Sequence, residues 1–313
     1  MTHTNRTHRL PRAAFTLIEL LVVIGIIALL VSLSTAAYQR VRVSQQVRTS
    51  EDVVAKVQMG LDNQVKIIAD KVRQEALPAT RSQDFTDLMP FCDNDEERTA
   101  AVLMYCRLRQ NFPQTAAELS APSFSVGSVQ FRRPTAFTAI ATVNDTTPGT
   151  GPSKVAAAAL FAVLTGQAQG GNNFAADDAL SGAQIDIPMT SGGTARVFKD
   201  GWGNPIAFVR FFQSAELDAP PFSDAKLGVG AKDPFDPRYK IYNWTGTSNA
   251  TTYRPQIGSL GTNSLAAFDF GHNTTPTAYS FGLNKLPDGP LGTIDDILGY
   301  RLRSIGAKGG PKQ

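Results

Sequence analysis

The chain has only two cysteines and three histidines among its 313 residues. Two cysteines exclude a disulfide framework, and Cys92 and Cys106 lack the close paired spacing of a structural zinc site. A fully helical path between them would separate them by about 21 Å, so a bond needs Cys92 to fold back from outside a helix. Two readings stand, a single disulfide or two free thiols. His3, His8 and His272 are too few and too scattered for a histidine zinc triad. Asp269 lies near His272, but no nucleophile sits in a strand-to-helix elbow. No Walker-type glycine–lysine loop is present, which gives an ATPase reading no support. Charge is also sparse, at 18% of residues with a formal balance of +3. The basic residues are not gathered on an aromatic-rich segment, which gives nucleic-acid binding no support.

What is present is concentrated at the N-terminus. Arg6, Arg9 and Arg12 precede any acidic residue, and the stretch from Phe15 to Tyr38 is apolar apart from Thr16, Glu19, Ser32, Ser34 and Thr35. As a helix it would span about 36 Å, enough for a hydrocarbon core of about 30 Å. A secretory signal peptide cut near Ser34 to Ala37 and a plain anchor are the bland alternatives. Glu19 separates them from a third reading. A carboxylate inside a bilayer costs several kcal/mol unless it snorkels, is protonated or finds a partner, and neither a signal peptide nor a simple anchor gains from it.

The run Arg12, Ala13, Ala14, Phe15, Thr16, Leu17, Ile18, Glu19, Leu20, Leu21, Val22, Val23, Ile24, Gly25, Ile26, Ile27, Ala28 resembles the cleavage and methylation signal of type IV prepilins and type II secretion pseudopilins. The resemblance implies that a prepilin peptidase cuts between Ala14 and Phe15 and methylates the new amine of Phe15. Ala14 stands where the family usually has glycine. The resemblance further implies that Glu19 pairs with the N-terminal amine of a neighbouring subunit during assembly. It places the N-terminus in the cytoplasm and the remainder beyond the bacterial inner membrane. Arg40, Arg42 and Arg48 follow the span, so local charge gives that orientation little help.

Beyond the span, Val47, Val54, Val57, Leu61, Val65, Ile68 and Val72 recur at helical spacing between charged residues, and Pro78 bounds the pattern. The repeat is too short for a coiled coil, so packing against the chain's own domain is expected. A second helix is expected after Asp93, Asn94 or Asp95, with Glu96 and Glu97 in its first turn and Arg107 and Arg109 in its last. Residues 105 to 119 resemble the helix exit and proline turn before a pseudopilin sheet. In the Ala-, Gly- and Thr-rich middle, Val126 to Phe131 and Phe137 to Val143 read as strands. Val155 to Leu164, closed by Gly166, reads as a short helix.

Phe198 to Phe211 reads as a tight turn delivering a strand, with Ile206, Phe208 and Arg210 opposite Ala207, Val209 and Phe211. Trp202 is expected at a corner of the core, and the segment resembles the tryptophan–glycine turn of major pseudopilins. Tyr279 to Gly282 followed by Pro287 to Ile297 resembles the calcium loop of that family. By this resemblance Asp288, Asp295 and Asp296 are the side-chain ligands of Ca²⁺, with carbonyls near Ser280 or Leu291 as helpers. A glycine-bearing loop of carboxylates and carbonyls suits the many oxygens this ion takes.

The expected fold is α+β, a long membrane-spanning N-terminal helix packed on a C-terminal domain with a small antiparallel sheet. The expected organisation is a leader (1–14), a membrane half-helix (15–38), an amphipathic stalk (39–77) and an extracytoplasmic domain (78–313). That domain holds an inserted middle of about 120–193 and a sheet-and-loop region of about 194–300. The expected function is a structural filament subunit of a secretion pseudopilus or type IV pilus, not an enzyme. Its expected partners are prepilin peptidase, other pilin or pseudopilin subunits, the inner-membrane assembly platform and the cytoplasmic assembly ATPase. The competing class is a membrane-tethered binding module that does not polymerise.

Overall fold

The computed structural model describes residues 17–143, 153–166, 178–212, 235–238, 240–241, 244, 275–282, 296–299 and 301–302. The chain divides into two units, Met1–Gln45 and Gln46–Gln313. Helix α1 runs from Leu17 to Ala76 without interruption. No proline falls within it, and Leu77–Pro78 ends it, since proline disfavours helical geometry in the residue before it. In the second unit Ser50, Val53, Val54, Val57, Gln58, Leu61, Gln64, Ile68 and Val72 are buried, one stripe at spacings of three and four. The stalk therefore packs on its own domain.

The rest of that domain is α+β, with three small antiparallel sheets among the described residues. Helices α2 (Gln83–Leu88), α3 (Glu96–Asn111) and α4 (Ala116–Ser120) lead into the hairpin β1 (Ser123–Val126) and β2 (Val129–Arg132). Next come α5 (Ala136–Ile140), α6 (Lys154–Leu164) and the hairpin β3 (Gln184–Pro188) and β4 (Thr194–Phe198). The last sheet has the order β5 (Ala207–Phe212), β6 (Thr275–Ser280), β7 (Ile297–Leu298).

Local chemistry explains the helix starts. Asp95 caps α3, its Oδ1 accepting the N–H groups of Glu97 (3.0 Å) and Arg98 (3.1 Å). At the other end Arg107 reaches Glu75 of α1 (2.9 Å) and Asp84 of α2 (2.8 Å), tying three helices together. Helix α6 starts where Ser153 Oγ accepts the Ala156 N–H, and it is followed by Gly166 in the left-handed region at φ +81°. Val155 to Leu160 and Ala162 to Leu164 are all buried, and α6 packs against β4 and β5.

Two expectations for the middle change. Val126 to Phe131 is not one strand but the centre of a hairpin turning at Gly127 and Ser128. Phe137 to Val143 is not a strand: residues 136–140 are helical, and only Val143 makes an isolated bridge, to Met189. Pro134 and the alanines at 136 and 139 favour a helical turn over a ladder. The middle also joins the main core through Phe137 and α6 rather than standing outside it.

The stalk is fastened to the sheets by polar groups on its buried stripe. Gln58, 1% exposed, donates from Nε2 to the Pro276 carbonyl (3.0 Å) and accepts the Ala278 N–H at Oε1 (2.8 Å). Bonds to residue i and residue i+2 of a strand are those a parallel neighbour would make, so the amide substitutes for a strand partner along β6. Ser50 Oγ accepts the Gly201 N–H at 2.8 Å. A Cβ on Gly201 would overlap the Gln46 carbonyl, and one on Gly299 would overlap the Gln58 side chain. Glycine lets both segments come this close.

A buried charge network holds the other side of β5. Arg210, fully buried, donates to Glu118 Oε1 and Oε2 (both 3.1 Å) and to the Phe112 carbonyl (2.8 Å). Arg109 and the Gln114 N–H also donate to Glu118, at 3.1 and 2.8 Å. Burial alone would raise the Glu118 carboxyl, but the Arg210 charge and these hydrogen bonds outweigh it and hold it at about 2.

Replacing Gln58 with alanine strands a buried carbonyl and a buried N–H, and should cost the full-length protein about 2–4 kcal/mol in urea unfolding; a loss below about 0.5 kcal/mol would contradict the role given to it. Because the folded Glu118 value lies below the ordinary 4.5, its stabilisation is complete above about pH 4.5 and is lost as pH falls toward about 2. Acid unfolding of wild type should therefore steepen across that window by on the order of 2–3 kcal/mol, and Glu118→Gln should remove that component. An unchanged pH profile in the variant would refute it.

Candidate functional site

The first unit contains the N-terminal half of α1, whose side chains face outward from Leu17 through Val43. Leu17 is 82% exposed and Leu33 61%. Among the described residues this is the one helix long and apolar enough to cross a membrane, and it supports a membrane-anchored protein. An apolar surface of this extent is stable only against lipid or other apolar helices. Glu19 lies in the first turn, where the positive end of the helix dipole favours a carboxylate. The helix carries Glu19 about 28 Å from Tyr38, close to the thickness of a hydrocarbon core. Ala14 and Phe15, expected to flank a processing site, lie outside the described residues.

Cys92 sits in the turns between α2 and α3 and Cys106 in α3, and both are buried free thiols. Burial pushes the Cys92 thiol up to about 12 and raises Cys106 as well, so both stay neutral and behave as small apolar side chains. Thr99 interacts with Cys92 and also donates to Met89 Sδ at 3.5 Å.

Of the three aspartates assigned to the C-terminal loop, Asp296 is described and half-buried, while Asp288 and Asp295 lie outside the described residues, as does Leu291. Strand β7 pairs Ile297 with Ser280, which brings Asp296 beside the end of β6. The Ser280 hydroxyl donates to Asp200 at 2.6 Å and accepts the Gly282 N–H at 3.2 Å. Asp200 also accepts the N–H groups of Trp202 (2.9 Å) and Asn204 (2.8 Å), which fixes the turn into β5. Trp202 is half-buried against the core, as expected of a corner residue. Among the described residues no group of three or more His, Cys, Asp or Glu could hold a metal ion.

The residues that dock the stalk were not singled out from the sequence. Gln58 and Ser50 were legible only as polar interruptions of an apolar stripe. Arg210 had a clearer signal, an arginine sharing a strand face with Ile206 and Phe208, and such a charge requires a buried acid. Its partner Glu118 is 92 residues away, beyond the reach of any spacing argument.

No curated protein and no solved structure matches the chain. Residues 9–35 match the family model described as the prokaryotic N-terminal methylation motif. That segment contains Arg9, Arg12, Ala14, Phe15, Glu19 and most of the apolar run. Carried on a long apolar helix that packs on an α+β domain, the match supports assignment of this chain to the type IV pilin and pseudopilin family.

Proposed function

We propose that the protein is a structural subunit of a type II secretion pseudopilus or type IV pilus-like filament, stored in the inner membrane and assembled from it to support protein export. The observation that carries this reading is Glu19 in the first turn of a 60-residue helix whose N-terminal half is apolar and exposed. Prepilin peptidase cuts between Ala14 and Phe15 and methylates Phe15. The N-terminus faces the cytoplasm and the α+β domain the periplasm. Assembly platform and ATPase supply the work, and the chain's role is mechanical rather than catalytic.

Glu19 then has a defined task. A carboxylate and an ammonium that both lie in hydrocarbon relieve each other's desolvation, whereas removing one strands the other at a cost of about 3–5 kcal/mol. The Phe15 amine of a neighbouring copy supplies that ammonium. Subunits in purified filaments should begin at N-methylated Phe15 by mass spectrometry, and Glu19→Ala subunits should stay in the membrane and be missing from filaments. Recovery of mutant filaments in normal amount would overturn the assignment.

We also propose that the loop containing Asp288, Asp295 and Asp296 binds Ca²⁺. The pairing of Ser280 with Ile297 supports it, because both ends of the 281–296 connection then start from neighbouring strands. The ion would cross-link the carboxylates of this segment to the ends of those strands. Calorimetry on the full-length protein in detergent should detect uptake of Ca²⁺ at or below millimolar concentration, and no heat at that concentration removes the proposal.

A further inference from the structure

The outward face of α1 does not stop being apolar at Tyr38. Tyr38 is 66% exposed, and beyond it exposed Val41 and Val43 alternate with exposed Arg40 and Arg42. No acidic residue occurs between Glu19 and Glu51. Neither Arg40 nor Arg42 has an ion-pair partner among the described residues. Two arginines on the side of a span opposite the leader arginines oppose the usual charge bias, so their presence calls for a compensating interaction.

Three geometric facts identify it. Tyr38 to Val43 covers about 7 Å of helix, which is the depth of one headgroup layer when about 30 Å of hydrocarbon lies within a bilayer of about 40–45 Å. An aromatic ring at the inner edge of that layer and guanidinium groups within it are the side chains that settle there, ring at the boundary and charge toward water. Arg40 and Arg42 also lie about 160° apart around the axis, on opposite sides of the helix. A protein partner approaching one face would meet one of them, whereas a shell of lipid meets both.

We propose that Tyr38, Arg40 and Arg42 form a collar that binds the phosphates of anionic phospholipid headgroups and thereby sets the depth of the helix in the membrane. This rests on the membrane-spanning reading of α1. With the collar held at one headgroup layer, Glu19 falls at the far boundary of the hydrocarbon, about 28 Å away. There its carboxylate meets some water while it waits for a partner, so the collar lowers the cost of storing the unassembled subunit.

The test uses the full-length protein in phosphatidylcholine bilayers, with spin-labelled phosphatidylglycerol and phosphatidylcholine as competing probes of the lipid shell. Wild type should favour phosphatidylglycerol, and Arg40→Gln and Arg42→Gln should each reduce that preference by roughly twofold to fivefold. The leader arginines Arg6, Arg9 and Arg12 remain in every variant, so the difference between variants isolates the collar. Raising salt to about 1 M should remove the difference, since screening then acts within about 3 Å. An unchanged preference in the doubly substituted protein overturns the proposal. So does a doubly substituted protein that keeps the lipid preference and fails to enter filaments, because the arginines would then serve a protein partner. Flotation with neutral vesicles separates this from failure of the anchor itself: wild type that does not float refutes the membrane reading, and the variants should float as wild type does.

Discussion

The attachment of the stalk to the sheets depends on one side-chain amide. Gln58 lies on a helix yet bonds to Pro276 and Ala278 as a strand would. A helix normally meets a sheet through apolar side chains alone, and such contacts resist sliding poorly because they have no direction. Two hydrogen bonds of fixed spacing set register as well as proximity. The Ser50 bond to Gly201, two helical turns away, sets it a second time. The close approach of Gly201 and Gly299 to the helix follows from that register, for a Cβ at either position would overlap Gln46 or Gln58.

Glu118 performs a similar service on the opposite side of β5, with charge in place of an amide. A fully buried guanidinium is tolerated because it meets a carboxylate that Arg109 and the Gln114 N–H also bond. Buried polar contacts of this kind are demanding of geometry. Between them they fix α3, α4 and β5 as one block and the stalk as another, and the apolar core fills the space they define.

Local signals were readable where the physics is local. The length of α1, the cap at Asp95, the buried stalk stripe, α6 with its glycine and the turn at Asp200 all follow from patterns within a few residues. The N-terminal motif was readable for the same reason, since its arginines, Glu19 and the apolar run are contiguous. Phe137 to Val143 misled because short alanine-containing apolar runs fit either period, and the bridge from Val143 to Met189 was decided by distant chain. The pairing of Gln58 with β6 spans more than two hundred residues, and no composition or spacing connects them.

Helix α6 has a consequence for how the chain meets a membrane. It is apolar on nearly every side, with four consecutive alanines at 156–159, and among the described residues it is the shorter apolar helix beside the N-terminal span. Its 11 residues extend only about 16 Å, half of what a bilayer demands. That length is too short to cross a bilayer as a helix, and among the described residues only α1 is long and apolar enough to do so. The alanines then disappear into a folded interior, covered by protein instead of lipid.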